Sequence, residues 1–152
     1  MFKVIQEKHL FSRCVFLLQK EFAQRVCAAA GSKAYAPLSI VVQTHFEASI
    51  LFAVSPASFS PPPGVESVVI RLRKRERPLF DLPDEKAFRT FLQAAFGQRR
   101  KTLMNNLLAA GQERAAVETA FRQAGLDPRA RAESLPIDQL VYLFRKAFVP
   151  GL

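Results

Sequence analysis

The segment Phe59-Ser-Pro-Pro-Pro-Gly-Val-Glu-Ser67 organises this chain. Its three consecutive prolines fix φ at about −65° and lack backbone N–H donors, so the segment forms neither a helix interior nor a central strand. One interpretation is a stiff, extended arm that holds the ring of Phe59 in place for stacking on a flat ligand. The other is a simple connector that precedes a strand. These residues alone leave both interpretations open.

The composition of the chain limits its class. Its 152 residues, of which 49% are hydrophobic and 14 are Phe, suffice for one domain or one domain with a small appendage. Lys and Arg outnumber Asp and Glu by 22 to 13, a formal charge of +9. This excess indicates a polyanionic partner, above all nucleic acid, although a basic solvated surface has the same composition.

The two cysteines, Cys14 and Cys27, lie in or beside apolar runs without the spacing of a metal site or a disulfide framework. They predict buried, reduced thiols of a cytoplasmic protein. The sequence predicts no signal peptide, and no apolar run reaches the length of a membrane span.

The first half of the chain has the pattern of an α/β fold. It predicts the tail of a helix before Leu10, a strand at Cys14–Leu18 buried on both faces of a parallel sheet, and a helix from Gln19 to Ala30 capped by Gly31. Two further strands, Ser49–Val54 and Val68–Leu72, flank the proline segment and predict an antiparallel pair at a sheet edge. The stretch Leu38–Phe46 fits a strand by propensity and a helix by periodicity.

A basic run follows the last of these strands and ends at Pro78. Its members within seven residues are Arg71, Arg73, Lys74, Arg75 and Arg77. Such a run is either a solvated linker or a set of phosphate contacts. It predicts a boundary between an α/β domain at 1–77 and an all-α domain at 78–152.

The second half predicts four short helices: Asp84–Phe96, a run from Gln98 to Leu108, Glu113–Ala124, and a last helix that starts at Pro136. Arg99, Arg100 and Lys101 stand at the predicted start of the second helix. Three adjacent cations there fan around the helix axis and cannot all form intrahelical pairs, so phosphates are their natural partners. The nearby Asn105 and Asn106 fit either RNA contact or a solvated face.

Most catalytic constellations are absent from the sequence. His9 and His45 lack metal-ligand spacing, so no metal site is predicted. The six glycines stand too far apart for a phosphate-binding loop; they are at positions 31, 64, 97, 111, 125 and 151.

Six motifs occur in one order along nearly the whole chain. They are Leu18-Gln-Lys-Glu21, Tyr35-Ala-Pro-Leu-Ser39, the Phe59–Ser67 segment, Phe96-Gly-Gln-Arg-Arg-Lys-Thr-Leu103, Asn105-Asn-Leu107 and Arg131-Ala-Glu133. In this order the chain closely resembles the rRNA adenine dimethyltransferases of the KsgA type.

The resemblance implies a Rossmann-like, S-adenosylmethionine-dependent methyltransferase sheet followed by a small helical domain. The family dimethylates two adjacent adenosines near the 3′ end of small-subunit rRNA during ribosome biogenesis, and acts as an assembly checkpoint. The resemblance also implies that Leu38–Phe46 is a helix and that Phe59 lies at the active-site rim, stacked on the flipped-out target base. The predicted RNA-binding residues are Lys33, Arg73, Lys74, Arg75, Arg99, Arg100 and Lys101.

The sequence also departs from the family. The glycine-rich cofactor loop, the acidic residue that holds the ribose and the Asn-Leu-Pro-Tyr motif are not in this sequence, and Gly64 stands where the family usually has Lys. We therefore expect the C-terminal portion of such an enzyme, inactive by itself and without bound S-adenosylmethionine. The alternative is a non-catalytic RNA- or ribosome-binding module. Expected partners are small-subunit rRNA, the immature small ribosomal subunit and, through an exposed truncated sheet, a second copy.

Overall fold

The chain divides into two compact units. The structure, a computed structural model, describes residues 1–82 and 84–148. One unit comprises Met1–Ala29 with Ala34–Leu79, and the other comprises Ala30–Lys33 with the residues from Phe80 onward. The division after Leu79 falls two residues beyond the predicted boundary, and the assignment of Ala30–Lys33 to the second unit was not predicted.

The first unit has a three-stranded sheet. Its elements are α1 (Phe2–Gln6), β1 (Arg13–Gln19), α2 (Lys20–Cys27), α3 (Pro37–His45), β2 (Phe46–Val54) and β3 (Ser67–Lys74). The strand order is β1-β3-β2, and β3 pairs antiparallel with both neighbours. The predicted antiparallel pairing of the two strands that flank the proline segment is confirmed, with β2 at an edge.

The prediction that β1 is buried on both faces of a parallel sheet is wrong for the described residues. Its partner β3 runs antiparallel to it, and its side chains alternate between half-buried and exposed. Val15 and Leu17 of β1 are 57% and 50% exposed, and Phe52 of β2 is 58% exposed. In the cross-strand register these residues lie on the face opposite Ile70 and Leu72, which are fully buried. We call Val15, Leu17 and Phe52 the exposed sheet face.

The ambiguous stretch Leu38–Phe46 is largely helical, as the resemblance implied. The hydroxyl of Ser39 accepts a hydrogen bond from the Ala36 N–H at 3.0 Å and donates to the Arg25 carbonyl at 2.5 Å, which fixes the first turn of α3. Ile40 and Val42 are fully buried. Burial of these side chains therefore outweighs their preference for strands.

Helix α2 is shorter than predicted. It ends at Cys27, and Ala28 already has extended backbone, so Gly31 does not cap it. Gly31 has a positive φ of 83° and its N–H donates to the Glu133 carbonyl at 2.7 Å. The glycine instead permits a turn within the second unit.

The second unit is helical, as predicted. Its helices are α4 (Glu85–Ala95), α5 (Leu103–Ala109), α6 (Arg114–Gln123) and α7 (Ile137–Leu143), the last continued by a π-helical turn at Phe144–Phe148. The rings of Phe88 and Phe144 meet edge to face, with centroids 5.1 Å apart, and both are buried. The carboxylate of Asp84 accepts two N–H groups at the start of α4 and so caps it.

Candidate nucleic-acid interface

Phe59, on the first unit, has extended backbone and begins a segment that bends at residues 59–61 and again at 64 and 65. We call residues 59–66 the proline arm. The Ser55 hydroxyl accepts from the Ala57 N–H at 3.3 Å, and the Phe59 N–H donates to the Pro56 carbonyl at 3.1 Å, so a short turn fixes the base of the arm. The Phe59 side chain is half-buried. Its role in base stacking stays a prediction.

Two of the predicted cations on β3 and just after it share one carboxylate. Glu47 lies opposite Arg73 in the sheet register and accepts from the Arg73 Nε at 2.9 Å. It also accepts from the Arg75 Nη1 at 3.4 Å, while the Arg75 Nε donates to the Gln43 carbonyl at 3.1 Å. The hydrogen bond from Arg73 is the main reason that the pKa of Glu47 is lowered, and the nearby positive charges add to it.

Lys74 differs from its two neighbours. Its ammonium is exposed and makes no ion pair with any described residue. The three residues border an open cleft of 620 Å³ lined by Glu47, Arg73, Lys74, Arg75, Glu76, Arg77, Pro78 and Leu79. Of Arg73, Lys74 and Arg75, the predicted RNA-binding residues of this unit, Lys74 is thus the one that forms no ion pair with a described residue.

The basic residues of the second unit lie in a turn, which corrects their predicted position at a helix start. Helix α5 begins at Leu103, because the Thr102 hydroxyl accepts the Asn105 N–H at 3.2 Å and acts as its N-cap. The Lys101 N–H donates to the Gln98 carbonyl at 3.0 Å, which closes the turn. The three cations therefore do not fan around a helix axis, contrary to the prediction from the sequence pattern.

The structure brings Lys33 to this turn. The Arg99 guanidinium donates to the Lys33 carbonyl at 2.8 Å. A second cleft, of 520 Å³, is lined by Gln98, Arg99, Arg100 and Lys101. These four predicted RNA-binding cations, Lys33, Arg99, Arg100 and Lys101, thus belong to one unit, whereas Arg73, Lys74 and Arg75 belong to the other.

The side-chain amide of Asn106 holds the turn in place through hydrogen bonds. Its amide donates to the carbonyls of Ala95 at 2.8 Å and Gln98 at 3.2 Å, and the side chain is buried. The neighbouring Asn105 is exposed. The sequence left both roles open; the structure assigns Asn106 to holding the turn and leaves Asn105 on the surface.

Sequence reasoning missed two arginines beside the same turn. The Leu103 N–H donates to the Ala130 carbonyl at 2.8 Å, which joins the start of α5 to the segment that carries Arg129 and Arg131. Both arginines are exposed and form no ion pair with a described residue. We define the basic loop cluster as Lys33, Arg99, Arg100, Lys101, Arg129 and Arg131. The alternating Arg-Ala-Arg-Ala at 129–132 was the available signal.

Other kinds of site find no support among the described residues. No group of three or more His, Cys, Asp or Glu there can hold a metal ion. Cys14 and Cys27 are free and half-buried rather than fully buried, and burial raises the pKa of each thiol. No helix in the described part of the chain has the length and apolarity that a membrane crossing requires.

The junction between β1 and α2 lacks the glycine-rich turn of a nucleotide-type cofactor site. A nucleotide-type cofactor needs a turn in which glycines let the backbone approach it closely. Here β1 passes directly into α2 at Gln19 and Lys20 without a glycine. The two clefts described above are open and lined mainly by charged side chains.

The fold defines the class of protein. The three strands form one edge of a Rossmann-like methyltransferase sheet, and the antiparallel strand β3 lies between β1 and β2. A small helical unit follows the sheet in the chain. The structure of a dimethyladenosine transferase from Plasmodium falciparum superposes with a TM-score of 0.74 at 25% identity, over 95% of this chain and 61% of that one. The 23S rRNA methyltransferase ErmE, at 23% identity and a TM-score of 0.63, shares the fold. The match covers 90% of this chain and 55% of ErmE.

The chain belongs to the ribosomal RNA adenine dimethylase family, whose sequence model matches residues 1–147. It is 40% identical to ribosomal RNA small subunit methyltransferase A of Syntrophotalea carbinolica, over 98% of this chain and 58% of that protein. It is 42% identical to the protein of the same name from Lactococcus lactis, over 92% of this chain and 48% of that one. The chain therefore spans about half the length of the curated relatives that it matches.

Proposed function

We propose that the chain is the C-terminal part of an S-adenosylmethionine-dependent enzyme that dimethylates two adjacent adenosines near the 3′ end of small-subunit rRNA. The observation that carries this proposal is the family match over residues 1–147. Relatives named ribosomal RNA small subunit methyltransferase A support it. The immature small ribosomal subunit is the proposed partner, and the free thiols of Cys14 and Cys27 fit a reducing cytoplasm.

In this proposal Phe59 stacks on the adenine that has left its helix. An aromatic ring whose backbone is already held by a turn, as Phe59 is by its bond to Pro56, loses little conformational entropy when a base stacks on it, and such stacking contributes about 1–3 kcal/mol per base. The half-buried position of Phe59 leaves part of its ring accessible.

We further propose that this chain by itself neither binds S-adenosylmethionine nor transfers a methyl group. The dispersed glycines and the partial coverage of the relatives support this. Isothermal titration of S-adenosylmethionine into the folded chain is expected to give no binding heat. A dissociation constant in the micromolar range would contradict the proposal.

A second function, RNA or ribosome binding without catalysis, is favoured by the basic loop cluster. Among the described residues none of its side chains forms an ion pair. Unpaired exposed cations are available to replace the counterions of phosphates. We expect the chain to bind a 3′ fragment of small-subunit rRNA with an affinity that falls as salt rises.

Fluorescence anisotropy with labelled RNA at several salt concentrations tests this function. The slope of log affinity against log salt is negative. The variant Arg100→Ala/Lys101→Ala is expected to reduce the magnitude of this slope by about 0.7 to 0.9 for each lost phosphate contact. A control is Arg114→Ala/Arg122→Ala on α6, which removes the same formal charge from residues outside the basic loop cluster. Equal losses in the two variants would show that only net charge matters and would contradict a specific surface.

We also propose that two copies associate through the exposed sheet face. Val15, Leu17 and Phe52 present apolar side chains that monomeric proteins normally cover. Strand β1 pairs on one side with β3, and its other edge has no partner strand among the described residues, which adds unpaired backbone groups.

A further inference from the structure

We propose that the open cleft beside Arg73 binds backbone phosphates of an RNA segment that is separate from the nucleotides around the target adenosine. We call this cleft, which is lined by Glu47 and residues 73–79, the distal cleft. The inference rests on the RNA substrate and on the stacking role of Phe59 that are proposed above. In it the residues of the distal cleft anchor the RNA and take no part in methyl transfer.

The register of the sheet assigns Phe59 and the distal cleft to opposite ends of β3. Arg73, near the end of β3, pairs with Arg13 at the start of β1. Ser67, at the start of β3, pairs with Val54 at the end of β2. Because Phe59 lies in the loop between β2 and β3, it belongs to the Ser67 end, whereas the distal cleft belongs to the Arg73 end.

These two ends are too far apart to contact neighbouring nucleotides of one RNA strand. Each residue of an antiparallel strand advances by about 3.4 Å, so the distance along β3 from Ser67 to Arg73 is about 20 Å. At about 3.4 Å of helix axis per nucleotide of one strand, this distance corresponds to about six nucleotides. A phosphate bound in the distal cleft therefore belongs to a nucleotide that is not adjacent to the base at Phe59.

The Arg73 end of the sheet carries more positive charge than its own carboxylates neutralise. Its cations are Arg13, Arg71, Arg73, Lys74, Arg75 and Arg77, and its carboxylates are Glu47 and Glu76. Six cations against two carboxylates leave a formal charge of +4. Four of the cations are exposed and form no ion pair with a described residue, namely Arg13, Arg71, Lys74 and Arg77.

Two of these arginines lie directly opposite each other. Arg13 and Arg73 are cross-strand partners, and like charges in that position destabilise a sheet. The nearby Glu47 already accepts hydrogen bonds from Arg73 and Arg75. A bound phosphate at this end would reduce the repulsion. A local conflict of this kind is expected where a protein binds a ligand, because binding offsets its cost.

An RNA phosphate is the anion that fits the distal cleft. The cleft is open, has a volume of 620 Å³ and is lined mainly by charged side chains, so it suits an anion that stays partly solvated. Lys74 and Arg77 are exposed in this lining and can each replace a counterion of the RNA. Contacts of this kind position an RNA without reading its sequence.

Photocrosslinking tests where the RNA lies. The photoreactive residue p-benzoylphenylalanine replaces Phe59 in one protein and Leu79, an exposed residue of the distal cleft, in another. Each protein is irradiated with a 3′ fragment of small-subunit rRNA, and primer extension maps the crosslinked nucleotides. Position 59 is expected to crosslink at the adjacent adenosines. Position 79 is expected to crosslink at least about six nucleotides away along the strand, or in another helix.

Crosslinks from position 79 to the nucleotides beside the adenosines would overturn the proposal. So would the absence of crosslinks from position 79 in a complex where position 59 crosslinks. If position 59 gives no crosslink, the proposed role of Phe59 fails, while the nucleotides mapped from position 79 still decide whether the distal cleft binds a separate segment.

The salt dependence of binding to the same RNA provides an independent measurement. Lys74→Ala/Arg77→Ala is expected to reduce the magnitude of the slope of log affinity against log salt by about 0.7 to 0.9 for each lost phosphate contact. Lys74→Arg/Arg77→Lys keeps both charges and should keep the slope. Arg114→Ala/Arg122→Ala on α6 removes the same formal charge and is the control. An unchanged slope in Lys74→Ala/Arg77→Ala, with circular dichroism showing folded protein, or an equal loss in the control, would contradict the proposal.

Discussion

A single buried amide, that of Asn106, holds the turn on which the basic loop cluster depends. It satisfies two backbone carbonyls, those of Ala95 and Gln98, at the end of α4 and at the turn. Replacing it removes the side-chain donor from the buried Ala95 carbonyl, whereas the Gln98 carbonyl keeps its bond from the Lys101 N–H.

We expect Asn106→Ala to lower the free energy of unfolding by about 1–3 kcal/mol, the cost of leaving buried polar groups unpaired. Urea denaturation followed by circular dichroism measures this loss. Asn105→Ala is the control, since Asn105 is exposed, and it should change stability by less than about 0.5 kcal/mol. Equal effects of the two changes would contradict the supporting role of Asn106.

Glu47 gives the first unit a dependence on pH. Its pKa is lowered from the ordinary value of 4.5, chiefly by the hydrogen bond from Arg73. A lowered pKa in the folded state means that the carboxylate stabilises the fold above pH 4.5, and that this contribution is lost as the pH falls through the lowered pKa.

We therefore expect the Tm of the chain to exceed that of Glu47→Gln at neutral pH. The difference should narrow as the pH falls below 4.5 and disappear once Glu47 is protonated in the folded state. Thermal unfolding of both proteins across this range, in low salt, measures it. A difference in Tm that is constant with pH would show that the pairing with Arg73 and Arg75 contributes nothing through charge.

At the scale of elements, Gly111 terminates α5 with a conformation that few residues adopt. Its φ is 85°, directly after Ala110. Gly111→Ala should cost about 1–2 kcal/mol, because an L side chain is strained at positive φ. Chemical denaturation provides the measurement, and Gly64→Ala serves as the control, since Gly64 has no positive φ and open space around it. An unchanged free energy of unfolding in Gly111→Ala would contradict this prediction and show that the turn accommodates the added methyl group.

The amphipathic helices of the second unit were predictable because each one buries a stripe that its own sequence spacing defines. Phe88, Phe91 and Leu92 of α4 are buried, as the spacing predicted. The start of α5 was not predictable from spacing, because Gln98 to Lys101 continue the helical pattern. The hydroxyl of Thr102, which caps the helix, decides where it begins.

The candidate site was harder to predict for a different reason. Its contacts join residues far apart in sequence, such as Glu47 with Arg73 and Arg99 with Lys33. Local patterns report which residues are charged but not which charges neutralise each other. In the same way, the apolar run of β1 predicted burial, whereas exposure depends on which elements cover each face of the sheet.

At the scale of the whole molecule, the exposed sheet face predicts association. The variant Leu17→Lys/Phe52→Lys places charges in the centre of this face and should shift the chain toward the monomer. Sedimentation equilibrium over a range of protein concentrations measures the change. Gln93→Lys/Gln123→Lys, at exposed positions of α4 and α6 outside the sheet, adds the same two charges and is the control. A parent chain that remains monomeric at the highest concentration would contradict self-association.

The assignment of Ala30–Lys33 to the second unit has a consequence for modularity. The polypeptide passes between the two units three times, after Ala29, after Lys33 and after Leu79. No single cut yields an intact helical unit: a fragment that starts at Phe80 lacks the Lys33 carbonyl bonded to Arg99 and the Gly31 N–H bonded to Glu133. The two units therefore cannot be exchanged independently between proteins. A helical unit from another protein, joined at residue 80, would also have to fit Ala30–Lys33, which the first half of the chain supplies.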